Sequence, residues 1–195
     1  MARLSRAETM AITRNKLINS ALQTFLKVGF SAATIDGIAE QAGFSRGAFY
    51  AHFSSKEQIF LEIIASQADD VTPKLIAKIE GASNASDAIE AVSRWAEERS
   101  QSQDLVVLMM EVMQLAKQNG TLDERYTRLF KKNWYAVGEA LRPFFPEQRM
   151  PGSPEEIIAI IVALSYGPVV SGAGGFSSGR LVKLVLTAMM LPHSS

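Results

Sequence analysis

The stretch from Thr34 to Phe60, TIDGIAEQAGFSRGAFYAHFSSKEQIF, constrains this chain more than any other, because it changes element repeatedly within a few turns. Thr34 suits an N-cap, and Ile35, Ile38, Ala39 and Ala42 follow it at helical spacing on one face. Gly43 supplies the left-handed stop that other residues resist. Ser45 can cap a second, very short helix of Arg46, Gly47, Ala48, Phe49 and Tyr50. Phe49 and Phe53 are four apart, so they share a face and can point inward. Helix, Gly-containing turn and short helix together form the helix-turn-helix pattern, whose second helix enters the DNA major groove. Gly37, inside the first of these helices, costs about 1 kcal/mol relative to Ala.

A third start follows at once. Ser54 with Glu57, or Ser55 with Gln58, can form a capping box. Lys56 then falls in a first helical turn, where the macrodipole disfavours a cation by about 0.3–1 kcal/mol. A phosphate in front of that helix end reverses the sign, so Lys56 is expected on a DNA phosphate; plain solvation is the alternative.

With 195 residues and 47% hydrophobic residues, the chain can bury a core in one or two domains. It has no cysteine, which removes disulfides and thiolate metal sites. The 20 basic and 20 acidic residues balance overall. Residues 1–60, however, carry Arg3, Arg6, Arg14, Lys16, Lys27, Arg46 and Lys56 against Glu8, Asp36, Glu40 and Glu57, a small positive excess that fits a polyanion. The N-terminus lacks the apolar run of a signal peptide, so a cytoplasmic location is expected. Ile157 to Gly179 carries no charge, but Pro168 and its glycines break it and Glu155-Glu156 flank it, so a buried helix is expected rather than a membrane span.

Periodicity is helical throughout. Residues 1–12 are expected as a loose basic arm or a disordered tail, followed by a helix over 13–28 with Leu17, Ile18, Ala21, Leu22 and Phe25 inward. A helix from Lys56 should kink or divide near Pro73. Gly81 to Ser86 is expected as a loop, and Ser86 or Asp87 as the next start. A helix over 104–118 should stop at Asn119-Gly120, and Thr121 with Glu124 should cap the one that follows. Pro143, Pro146, Pro151 and Pro154 mark a loop, and helices over 154–170 and 178–190 close the chain around a Gly-rich joint at 172–175.

Thr34-Ile35, Ile38-Ala39, Ala42-Gly43-Phe44-Ser45, Gly47, Phe49-Tyr50, His52-Phe53 and Ser55-Lys56-Glu57 resemble the DNA-binding segment of TetR-type (TetR/AcrR) transcriptional regulators. The likeness extends upstream through Leu17-Ile18, Ala21-Leu22, Phe25 and Gly29-Phe30 and covers about the first third of the chain. It implies an all-α fold with a three-helix helix-turn-helix domain over 1–55, followed by a helical effector-binding and dimerisation domain over 56–195. It also implies a homodimer through the last two helices, which are apolar on more than one stripe, and a repressor as the usual mode. Two recognition helices about 34 Å apart then require a near-palindromic operator in double-stranded DNA. The region between holds a small, largely apolar effector in such regulators. Trp95, Met109, Met110, Met113, Tyr126, Phe130 and Trp134 are its candidate contacts here, with ordinary core packing as the alternative. Glu111, set among Leu105–Met110, Val112 and Met113, needs a protein donor or a cationic ligand if it faces inward, and nothing if it faces solvent. The helix that starts at Lys56 is the expected transmitter between effector and DNA.

Within the helix-turn-helix, Arg46 is the candidate for bidentate guanine contact. Ser45, Gly47 and Ala48 lie beside it: Gly47 permits close approach, Ala48 can touch a thymine methyl, and Ser45 can also act as a cap alone. Thr34, Tyr50, His52 and Lys56 are candidates for the DNA backbone, and Tyr50 can instead only pack. An enzyme lacks its parts: the histidines are His52 and His193, and Asp69-Asp70, Glu97-Glu98 and Glu155-Glu156 are neighbours that diverge by about 100° on a helix. No metal or cofactor is expected. A DNA-binding dimer that answers a protein partner, or acts constitutively, is the alternative to an effector-controlled one.

Overall fold

The computed structural model describes residues 5–118, 120–171 and 175–190. These form nine α-helices: α1 (Arg6–Val28), α2 (Ile35–Gln41), α3 (Arg46–Tyr50), α4 (Lys56–Glu80), α5 (Ala85–Ser100), α6 (Gln103–Gln118), α7 (Gly120–Leu141), α8 (Pro154–Ser171) and α9 (Ser178–Met190). Two 3-10 turns, Arg142–Phe144 and Pro146–Gln148, follow α7. No described residue is in a strand, so the all-α expectation holds.

Several element boundaries differ from expectation, each for a local reason. Instead of a loose arm, the chain is helical from Arg6. Ser5 accepts from the Glu8 amide (3.2 Å), while the Glu8 carboxylate accepts from the Ser5 amide (2.7 Å), a reciprocal box that starts α1 early. At the head of α4 the Ser55–Gln58 pair, one of the two expected, supplies the cap: the Ser55 hydroxyl accepts from the Gln58 amide (3.2 Å), and the Gln58 side chain accepts from the Ser54 amide (2.6 Å) rather than from that of Ser55. Pro73 does not divide α4. The missing bond costs, but Ile63 and Ile64 before it and Leu75 and Ile79 after it are all buried, and burial on both sides carries the helix through. Asn84 rather than Ser86 or Asp87 caps α5, accepting from the Asp87 amide at 3.0 Å. Thr121 lies inside α7 rather than at its cap. Asn119, Gly172, Ala173 and Gly174, expected as a stop and a joint, lie outside the described residues. α8 runs on through Pro168 to Ser171, and no described helix is long and apolar enough to cross a membrane.

The chain divides into two compact units: Met1–Gln67 with Leu108–Asp123, and Ala68–Val107 with Glu124–Ser195. The expected division at 55/56 falls at the head of α4, which continues unbroken past both points. In the first unit, the rings of Phe25, Phe30 and Phe60 meet at 5.1, 6.2 and 5.8 Å between centroids. Each is buried, and together they close the core around which α1 and α4 pack.

The second unit is built on α5, α8 and α9. Ile89, Val92 and Ala96 of α5 are buried with Ile157, Ile158 and Ile161 of α8 and Val182, Leu186 and Met190 of α9. Two glycines permit close approach. A Cβ on Gly179 would lie 2.6 Å from the Ser93 carbonyl oxygen, and one on Gly138 would lie 2.5 Å from the Pro154 Cβ. Polar bonds fix the register of α5 against α9. Glu97 accepts from the Ser177 hydroxyl (2.6 Å) and the Gly179 amide (2.8 Å), and Lys183 donates to Glu90 at 3.0 Å. The hydrogen bonds from Ser177 and Gly179 outweigh partial burial and hold the Glu97 carboxyl below its ordinary value.

Candidate nucleic-acid interface

The helix-turn-helix is assembled by caps. The Thr34 hydroxyl accepts from the Gly37 amide at 3.0 Å, and a Cβ at Gly37 would sit only 3.1 Å from that oxygen. α2 ends with Phe44 N–H donating to Ala39 (2.8 Å) and Gly43 N–H to Glu40 (2.9 Å), while Gly43 adopts φ +79°. No atom crowds a Cβ at Gly43, so its backbone angle alone calls for glycine. Ser45 caps α3 from the Ala48 amide at 3.3 Å.

Tertiary contacts then hold this unit rigid. Phe49 and Phe53 are buried, with ring centroids 5.6 Å apart. The Ser20 hydroxyl of α1 donates to the Ile38 carbonyl at 2.7 Å, and the Gln41 side chain donates to Gln23 at 3.0 Å. Arg14 pairs with Glu62 and lies 4.8 Å over the Phe53 ring. What remains outward on α3 is Arg46, Gly47 and Tyr50, with Ser45 at its head and Ala48 half-buried. Thr34 is exposed and His52 half-buried. All eight expected DNA-contact residues keep some open surface on this unit, with Thr34 and Ser45 serving as caps and Arg46 held by Asp36 and Tyr50.

Arg46 is not a loose side chain. It donates to Asp36 Oδ2 at 2.7 Å and to the Tyr50 hydroxyl at 3.4 Å, and its guanidinium carbon lies 5.6 Å over the Tyr50 ring. The Tyr50 bond first, and the Asp36 charge next, push its pKa further up. Asp36 is the residue that the spacing arguments missed. It looks like an ordinary acidic first-turn residue of α2, and its role appears only when α3 folds back across it.

Lys56, the eighth, is placed differently. Its ammonium donates to the carbonyls of Ala33 (2.6 Å), Phe30 (2.9 Å) and Ser31 (3.4 Å) and stands 4.9 Å from the Phe30 ring centroid. The macrodipole penalty at the head of α4 is thus offset by three carbonyl dipoles of the α1–α2 turn, where a phosphate was expected to do it.

Glu111 of α6 meets the same turn from its other side. Its Oε2 accepts from the Phe30 amide and its Oε1 from the Ser31 amide, both at 2.8 Å. Burial works to raise its pKa, but the bonds from Ser31 and Phe30 and the Lys56 charge outweigh it and hold the carboxyl low. Of the alternatives that the sequence leaves open, a protein donor is the one realised. Gly29, at φ +82°, lets the carboxylate in: a Cβ there would lie 3.3 Å from Oε2.

The other described effector candidates are divided between the two compact units. Met109 is buried and Met110 half-buried in the first unit. In the second, Phe130 is buried with its ring 5.9 Å from that of Trp134, and Trp95 stacks with the Arg99 guanidinium at 5.4 Å. The side chains of Met113 and Tyr126 lie outside the described residues. A surface depression of about 360 Å³ is lined by Glu80, Ala136, Glu139, Ala140, Pro143 and Phe144, none of them a candidate. Among the described residues no cluster of His, Asp or Glu could hold a metal ion.

Residues 17–63 match the family of bacterial regulatory proteins, tetR family. Over 79 residues, 38% of this chain, the sequence is 42% identical to the HTH-type transcriptional regulator SrpR of Pseudomonas putida, covering 37% of that protein. Over 67 residues it is 40% identical to the probable acrEF/envCD operon repressor of Escherichia coli K12, covering 34% of this chain and 30% of that one. The match therefore spans about a third of each relative. The fatty acid degradation regulator FadR of Bacillus halodurans superposes with a TM-score of 0.72 at 15% identity, over 98% of both chains. FadR of Bacillus subtilis, solved in complex with stearoyl-CoA, gives 0.70 at 16%, over 91% of this chain and 97% of that one. At such identities these two establish the shared fold. The relatives and neighbours are transcriptional regulators rather than enzymes.

The Lys56 geometry has a measurable consequence. Lys56→Met should cost roughly 1–3 kcal/mol by stranding carbonyls that a charged donor now serves. It should leave the slope of log affinity for duplex DNA against log salt unchanged. Thermal melts and a salt titration of DNA binding read the two effects separately.

Proposed function

We propose, for a chain whose residues 17–63 match the tetR family of bacterial regulatory proteins, that it is a transcriptional regulator of that kind, acting as a repressor that binds a near-palindromic operator as a homodimer. The observation that carries this is α3: a capped, rigidly backed helix that turns Arg46, Gly47 and Tyr50 outward while Phe49 anchors it from within. Such a helix fits the major groove at its N-terminal end. Arg46 reads a guanine, and Ser45, Gly47 and Ala48 approach the neighbouring bases. Thr34, Tyr50 and His52 position the DNA backbone. Asp36 holds the guanidinium extended before DNA arrives and must share or release it on binding, which penalises sites that offer Arg46 no acceptor.

Exposed apolar side chains on and beside α8 and α9 support pairing through these two helices. Ile158, Ile161, Val182 and Leu186 already fill the protomer's core, yet Leu184 stays 68% exposed, Phe176 64% and Ile160 39%. Large apolar side chains left outside on α8 (Ile160), on α9 (Leu184) and just before α9 (Phe176) fit a second copy of the same face. The name of the Escherichia coli relative supports repression. The stearoyl-CoA complex of a protein with the same fold supports a small, largely apolar effector whose binding releases DNA. A dimeric regulator that answers a protein partner or acts constitutively is the second form of the proposal.

Duplexes selected by the chain from a random pool should be near-palindromic. Arg46→Ala should relax preference at one base pair per half-site, with about 1–3 kcal/mol of discrimination lost there. Leu184→Glu should leave the melting temperature within a degree or two, since its side chain is exposed, yet give a monomer in sedimentation and lose operator binding. Acyl-CoA thioesters should raise the melting temperature as bound ligands do by mass action; no shift across the series favours the form without an effector.

A further inference from the structure

The α1–α2 turn, Gly29 to Ala33, is gripped from two sides by opposite charges. Its Phe30 and Ser31 amides point at the Glu111 carboxylate, and its Phe30, Ser31 and Ala33 carbonyls point at the Lys56 ammonium. Successive amides converging on one anion form a backbone nest, here opened by the positive φ of Gly29. The anion comes from a residue about eighty positions away, and it is seated by both oxygens at 2.8 Å.

The two gripping residues sit on helices with a shared property. α4 and α6 each run without a break through a boundary between the compact units, at Gln67/Ala68 and at Val107/Leu108. The turn they hold leads directly into Thr34, which caps α2; α2 is tied to α1 through Ser20 and leads through Gly43 into α3. A shift of α6 by about 1 Å would stretch both carboxylate bonds beyond the roughly 3.2 Å at which an N–H···O bond is made. A shift of α6 larger than the Glu111 side chain can follow must therefore either carry the turn with it or release it.

We infer that Glu111 is a positioning residue for DNA binding: its carboxylate, seated on the Phe30 and Ser31 amides, ties α6 to the helix-turn-helix, so the placement of α6 and the competence of α3 change together. This rests on the regulator reading above. Glu111 touches no DNA. It acts through the turn, and binding linkage makes the effect reciprocal: DNA on α3 must steady α6.

The test is amide hydrogen exchange of the full chain, with and without a duplex selected by the wild type from a random pool, at low salt. In the wild type, DNA should slow exchange at Leu108–Val112 of α6 by about tenfold, in the range of ordinary coupling between sites. Glu111→Gln keeps the shape but turns an NH2 donor toward one of the two amides. It should retain DNA-induced slowing in residues 34–50 while the effect at 108–112 falls below about twofold. Glu111→Asp, which keeps the charge, should recover part of it. Unchanged linkage in Glu111→Gln overturns the inference and leaves the regulator proposal standing. If the Gln variant does not fold, the wild type alone decides, because no DNA-induced slowing at 108–112 also overturns it. A wild type that binds no duplex removes both proposals together.

Discussion

Burying a turn is costly unless its backbone is satisfied, and the first unit depends on how that is done between α1 and α2. Phe30 and Ala33 are nearly inaccessible, so the turn that carries them brings peptide groups toward an apolar core made of Phe25, Phe30 and Phe60. Turn and loop backbone of this kind has no ladder to pair with. One charged side chain serves the carbonyls and another serves the amides. Neither is a surface ion pair of small worth. Each is a charge-assisted bond set to backbone groups, part-buried at Phe30 and Ala33 and exposed at Ser31.

From that anchor the rest of the DNA-binding unit follows with little redundancy. α2 and α3 are too short to be stable alone, since helices of this length do not repay nucleation in water. They persist because Ile38, Ala39 and Phe49 are buried, because each end is capped, and because Gly43 makes the reversal without strain. The consequence is a recognition helix whose inner face is committed to packing and whose outer face is free of it. The second unit distributes its residues differently. α5 is laid against α8 and α9 through small residues and two carboxylate contacts, and the same α8 and α9 still expose large apolar groups.

Local rules made much of this legible. The caps at Thr34 and Ser45, the stop at Gly43, the inward Phe49 and Phe53 and the existence of most helices follow from residue type and spacing. The boundaries that moved did so where two local signals competed. Ser5 with Glu8 outweighed the basic composition of the arm, and burial on both flanks outweighed Pro73. Asp36 and Glu111 were illegible in a different sense. Asp36 is drawn to Arg46 only by the crossing of α2 and α3, and Glu111 reaches its amides across about eighty residues of chain. Spacing rules for a single helix contain no term for such meetings.

The sequence alone determined most of the helical segments, where the short α3 begins and which of its faces turns inward, because those depend on interactions within about four residues. Only the tertiary structure decided what the charges do. Lys56 and Glu111 each carry a charge that needs a partner, and its identity depends on which backbone the fold brings within about 3 Å. That backbone turned out to be one turn, held by both.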